Sequence, residues 1–186
     1  IPGLLKALRL PIPWDAVSIA RATDYLKRHA DKTVRAGLCD ALGYSLPQVC
    51  WHIINVLGEL REVEAIDRLL TFLGDETLGT VAAHALERIH HPRAVAGLVA
   101  TLRNRPLPPR QAALAALESL DWQPANPEEE LAKALVECKY RDVARLGPAA
   151  LPHLLPELAL GDPSTLIPVL AELGGPQVVP DLVHFW

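Results

Sequence analysis

The chain is 186 residues long and half of it is hydrophobic, yet only 5% is aromatic and 22% is charged. Leu, Ala, Val and Ile therefore carry the apolar content, which excludes intrinsic disorder and argues against an all-β domain. A formal net charge of -4 argues equally against a strongly basic nucleic-acid binder.

In chain order, Pro2 to Leu8 reads as part of a packed helix. The longest uncharged run, Ala41 to Gly58, contains Gly43, Ser45, Pro47, Gln48, His52 and Asn55, polar groups that lipid would leave unsatisfied, so no membrane span is expected. Ser45-Leu46-Pro47-Gln48 has capping-box spacing and predicts a helix start. Val49, Ile53, Val56, Leu57 and Leu60 then recur at helical intervals, as do Leu78, Ala82, Ala85, Leu86 and Ile89, and after them Ala113, Ala116, Leu117 and Leu120. Asn126-Pro127-Glu128-Glu129 predicts an N-cap, an N1 proline and acids over the positive helix end, and Asp162-Pro163 repeats the cap and proline. About a dozen short helices in antiparallel pairs are expected, joined by turns of two to five residues, and no segment alternates as a strand does.

The segment Leu57 to Ile66 aligns with Leu86 to Val95 at an offset of 29, and Leu170 to Val179 forms a third copy. Pro148 precedes Pro176 by 28 residues in the same context. Periods of this length signal stacked repeats. The three cysteines, Cys39, Cys50 and Cys138, have no C-x-x-C spacing and sit in apolar helical patterns, which points to small core residues in a reducing, cytoplasmic compartment. No basic segment leads an apolar stretch as in a signal peptide. With no methionine anywhere and both ends patterned as packed helix, the expectation is a piece of a longer chain.

Val34-Arg35-Ala36-Gly37-Leu38-Cys39-Asp40-Ala41-Leu42-Gly43 and Ile89 through Leu98 resemble the HEAT-like repeat family of the short bacterial and archaeal type, also found in phycobilisome lyase subunits. Leu120 to Glu129 looks like a connector between such repeats, and the resemblance runs from about Asp31 to Trp186. It implies an all-α, right-handed α-solenoid of antiparallel helix pairs, HEAT/armadillo-like. The expected organisation is one domain over 1–186, with an irregular insert at about 121–147 between two repeat blocks. His90-His91 departs from the family's usual Gly-Asp, removing the helix-ending Gly and the N-cap Asp. Two adjacent histidines suit a structural turn better than a metal site, because no Cys or carboxylate is spaced to complete a ligand set.

Stacked pairs present a groove lined by their second helices. Positions between the core columns should face it: Trp51, Asn55 and Glu59, then Thr80, His84 and Arg88, then Gln111, Ala115 and Ser119. An exposed aromatic among polar groups suits a binding hot spot. The competing reading packs Trp51 between repeats and leaves His84 solvated. Arg88, Arg93, Arg103, Arg105 and Arg110 cluster ahead of Asp121, Glu128, Glu129, Glu130 and Glu137, and no Lys or Arg follows Arg145. Such an uneven distribution fits either a polar partner or solvated turns.

The sequence contains no G-x-G-x-x-G, G-x-x-x-x-G-K, H-E-x-x-H or G-x-S-x-G, and Gly43-Tyr44-Ser45-Leu46-Pro47 breaks the last pattern. Deoxyhypusine hydroxylases of similar architecture use His-Glu pairs, whereas none of the seven histidines here precedes a Glu. The expected function is therefore a non-catalytic scaffold that binds a protein partner along its groove, with no cofactor, no metal and no membrane. Two alternatives follow from the resemblance. One is a nucleic-acid module like the alkylpurine DNA glycosylases, contacting its ligand through Arg103, Arg105 and Arg110. The other is a lyase-like handler of a bilin chromophore, with His84 and Trp51 lining a deep groove. Val178, Val179, Leu182, Val183, Phe185 and Trp186 should pack onto the preceding repeat or leave a face for self-association.

Overall fold

A computed structural model describes residues 1–10, 14–103, 107–145, 147–159 and 163–174. Among these the chain is all-α, with no strand. Its helices are α1 (Pro2–Leu8), α2 (Ala16–Arg28), α3 (Lys32–Ala41), α4 (Pro47–Glu59), α5 (Ile66–Phe72), α6 (Gly79–Ile89), α7 (Val95–Thr101), α8 (Leu107–Ser119), α9 (Pro127–Val136), α10 (Tyr140–Ala144), α11 (Leu151–Leu154) and α12 (Pro163–Gly174). No helix among the described residues is long and apolar enough to cross a membrane.

The chain divides into two compact units, Ile1–Trp122 and Gln123–Trp186. The boundary falls at the start of the segment read as an insert, and that segment holds the ordered helices α9 and α10.

In the first unit, consecutive helices pair as α3 with α4, α5 with α6 and α7 with α8, and alternate helices stack as α2 on α4, α4 on α6 and α6 on α8. The connections are short, so the paired helices run antiparallel. On the opposite side α1 meets α3, and α3 meets the 3₁₀ turn Val63–Ala65 that leads into α5. The 3₁₀ turn Pro92–Ala94 does the same for α5 and α7.

The 29-residue offset is visible in burial. Leu57 and Leu86, Ala65 and Ala94, and Leu69 and Leu98 are all fully inaccessible. Ala150 and Leu154, fully buried in the second unit, repeat the spacing of Ala65 and Leu69 after a third 3₁₀ turn, Gly147–Ala150. Leu78, Ala82, Ala85, Leu86 and Ile89 are buried as expected, and so are Ala113, Ala116 and Leu117. Leu60 and Leu120, at the ends of their helices, are only half-buried.

Close approach of α4 and α6 depends on Gly58. A Cβ there would lie 2.8 Å from Cα of Ala85, so the small pair lets the two backbones come together. The second unit has its own core, in which Leu135, Tyr140, Val143, Leu154, Leu166 and Leu170 from α9 to α12 are buried together.

Helix ends agree with the sequence in part. Asn126 Oδ1 accepts from the Glu129 amide at 3.0 Å, and Glu129 Oε2 accepts from the Ala125 amide at 2.8 Å, a reciprocal cap. Ser45 does not cap α4, whose N-cap is Leu46. Its hydroxyl donates instead to the Leu8 carbonyl at 2.9 Å and ties down the end of α1. Asp162 lies outside the described residues, as do Val178, Val179, Leu182, Val183, Phe185 and Trp186. Two caps that the sequence reading passed over are Asp15 and Asp31, accepting from the amides of Ser18 and Val34 at 2.9 and 2.8 Å.

The His90-His91 turn keeps the backbone of a Gly-Asp turn. His90 adopts the left-handed conformation (φ 52°) and its amide donates to Leu86 O, ending α6. Nδ1 of His91 accepts from the Arg93 amide at 3.2 Å, doing the work of the absent Asp. Arg61, Asp121 and Cys138 end their helices with the same positive φ. For Cys138 this is why the small-core expectation fails: the residue sits past the end of α9, where its thiol is exposed. Cys39 and Cys50 are buried as expected.

Candidate functional site

The first unit carries a cleft of about 290 Å³ between α2 and α4, closed from α6 by Arg88. Its α2 wall is Ala20, Thr23, Asp24 and Lys27, spaced three and four apart, so they form one stripe on the helix. Its α4 wall is Trp51, His52, Asn55, Val56 and Glu59. The stacking of α2 on α4 and α4 on α6 brings the three helices together here.

Trp51 is 47% exposed, an unusual setting for so large an apolar side chain. It is therefore not packed away between repeats. Its ring meets that of His52 edge-on, with centroids 4.9 Å apart. Asn55 Nδ2 donates to the Trp51 carbonyl at 2.9 Å, which fixes the amide one turn along the same helix. Burial pushes the His52 imidazole below its ordinary value of 6.5, favouring the neutral ring.

Three of the four charged residues lining the cleft are already paired. Lys27 pairs with Glu59 across the two walls, and Asp24 pairs with Arg28 at 2.7 Å one turn further along α2. Arg88 is exposed, and no carboxylate among the described residues pairs with it. Its neighbour Glu87 is engaged by His84 Nδ1 at 3.3 Å.

Of the residues expected in the groove, the structure thus gathers Trp51, Asn55, Glu59 and Arg88 into one cleft. His84 and Gln111 are exposed and Thr80 is half-buried, but none of the three lines it. The α2 wall was missed because the repeat resemblance starts at Asp31. The Asp15-x-x-Ser18 cap followed by small and polar residues at helical spacing was the available signal.

The arginine cluster disperses. Arg93 pairs with Asp67 at 2.8 Å, joining the Pro92–Ala94 turn to α5. Arg103 is exposed and Arg105 lies outside the described residues. Arg110 is 3% exposed, because it stands three and four residues before Ala113 and Leu114 and so continues their buried column. A side chain at that depth cannot reach a phosphate backbone.

Elsewhere, Arg35 of the repeat-like Val34-Arg35 pair donates to the Ala30 and Leu60 carbonyls at 3.0 and 3.1 Å. It also pairs with Glu62 at 3.1 Å, fastening α3 to the end of α4. Burial pushes the Cys39 thiol up to about 11 and raises Cys50 as well, so neither supplies a thiolate near neutral pH. No group of three or more metal-ligating side chains occurs among the described residues.

Compared with known proteins, the chain matches no family model and no curated sequence.

Proposed function

We propose that the chain is a HEAT-like repeat scaffold, a right-handed superhelix of helix pairs, that binds a protein partner along the face formed by α2, α4, α6 and α8. Binding rests on shape and charge complementarity, and the chain's own side chains carry out no reaction. The observation that carries this reading is the cleft in which Trp51 stands open beside the fixed amide of Asn55 and the uncompensated Arg88. Exposed aromatic and arginine side chains in a concave setting are the residues that most often dominate protein interfaces. The repeated burial of Leu57 and Leu86, and of Ala65 and Ala94, supports the repeat assignment, because each pair completes its core only against its neighbours.

The experiment is partner capture: tagged chain in native extract, washed at low and at high salt, alongside a Trp51→Ala variant. The reading expects a protein retained by wild type through the high-salt wash and lost by the variant. Nucleic acid retained only at low salt would replace it with a phosphate-binding module, since such affinity falls steeply with salt.

A further inference from the structure

The cleft between α2 and α4 has a charge pattern that narrows its occupant. Two carboxylates face it, Asp24 and Glu59, and each is answered by a cation, Arg28 and Lys27. Only Arg88 contributes a charge with no counter-ion among the described residues. A nucleic-acid strand brings one phosphate per nucleotide and needs a matching run of cations, and in this cleft it would meet Asp24 and Glu59 besides. A single carboxylate on a polypeptide needs one cation, and a guanidinium receives it with two parallel hydrogen bonds. Trp51, meanwhile, offers an open apolar surface on the same cleft, which water covers at a cost that an apolar side chain removes.

We propose that this cleft seats an extended segment of a partner protein that gives a carboxylate side chain to Arg88 and a large apolar side chain to Trp51. The proposal rests on the groove reading above and adds the chemistry of what the groove holds. Asn55 positions the segment between these anchors. Its Nδ2 is committed to the Trp51 carbonyl, so its Oδ1 is the atom that accepts a backbone N–H. His52, kept neutral by its burial, adds no second positive charge to compete for the carboxylate.

The test is selection of random peptides displayed on phage against the full chain, with Trp51→Ala, Arg88→Gln and Arg88→Glu variants in parallel. Each variant's helicity and melting are checked first. Both positions changed, Trp51 and Arg88, are exposed, so folding should survive. Wild type should enrich peptides in which Asp or Glu lies a few residues from Leu, Phe or Trp. Arg88→Gln should weaken the best of these about tenfold, and Arg88→Glu should exchange the acidic preference for Lys or Arg. Trp51→Ala should erase the apolar preference. Peptides enriched without acidic bias, indifferent to Arg88 yet lost in Trp51→Ala, would overturn the proposal and leave the groove reading standing. Peptides retained equally by every variant would place binding off this cleft and overturn both. Arg88-dependent displacement of the selected peptide by labelled oligothymidine, together with no acidic bias, would overturn it in favour of a phosphate ligand.

Discussion

His90 holds a left-handed backbone at φ 52°, a conformation that costs an L-residue with a Cβ about 1 kcal/mol or more. Next to it, His91 spends its Nδ1 lone pair on the Arg93 amide. The two substitutions should therefore move stability in opposite directions. His90→Gly is expected to raise it by about 1 kcal/mol, less the entropy glycine adds to the unfolded chain. His91→Ala is expected to lower it by about 1 kcal/mol, while His91→Asp restores the cap. Urea midpoints of the three variants check this, and equal midpoints for His91→Ala and wild type would show that the imidazole caps nothing.

His52 gives a second prediction at the same scale. Burial holds its folded-state value below 6.5, so the unfolded chain binds a proton that the folded chain refuses as pH falls through about 6.5. The stability associated with His52 is thus present above that pH and declines below it, until the folded ring also protonates. His52→Gln should flatten this part of the stability profile between about pH 7 and pH 5.5. Denaturant midpoints across that range, wild type against variant, measure the difference. A parallel pair of profiles would contradict the assigned burial.

Helix packing sets the next scale. Gly58 and Gly97 both lack room for a Cβ, but their obstacles differ. At Gly58 the obstacle is the Ala85 backbone of α6, whereas at Gly97 it is the flexible end of the Leu70 side chain, with Cδ2 2.4 Å away. Gly58→Ala is therefore expected to destabilise by about 2 kcal/mol despite its gain in helix propensity. Gly97→Ala should stay within about 1 kcal/mol of wild type, because Leu70 can change rotamer. Thermal unfolding of the two variants side by side tests the distinction. If both melt alike, α4 and α6 are not in backbone contact.

Much of the helical order was legible at this scale. The columns Val49-Ile53-Leu57 and Ala82-Leu86-Ile89 repeat at intervals only a helix satisfies, and all six residues are buried. The N-cap at Asn126 was legible for the same reason, since its partner Glu129 lies three residues on. What was not legible depends on depth or on distant partners. Ser45 has the local spacing of a cap, yet its hydroxyl is claimed by Leu8, 37 residues away. Arg110 looked like surface charge because composition counts a charge without saying how deep it lies. The α2 side of the cleft escaped because its residues carry no repeat signature, only a polar stripe that becomes a wall once α4 packs beside it.

For the whole molecule, the cleft lies entirely within the Ile1–Trp122 unit. Arg35 and Arg93 carry structural pairings on other helices of that unit, to Glu62 and Asp67. On the proposed reading, the surface offered to a partner is the α2–α4–α6 side, with Trp51 as its apolar anchor and Arg88 as its charge. Hydroxyl-radical footprinting of the chain alone and with its captured protein partner tests this most directly. Trp51 should oxidise readily in the free chain and be protected in the complex, with residues of α2 protected alongside it. Equal oxidation of Trp51 in both states, with protection confined to α3, α5 and α7, would contradict the account.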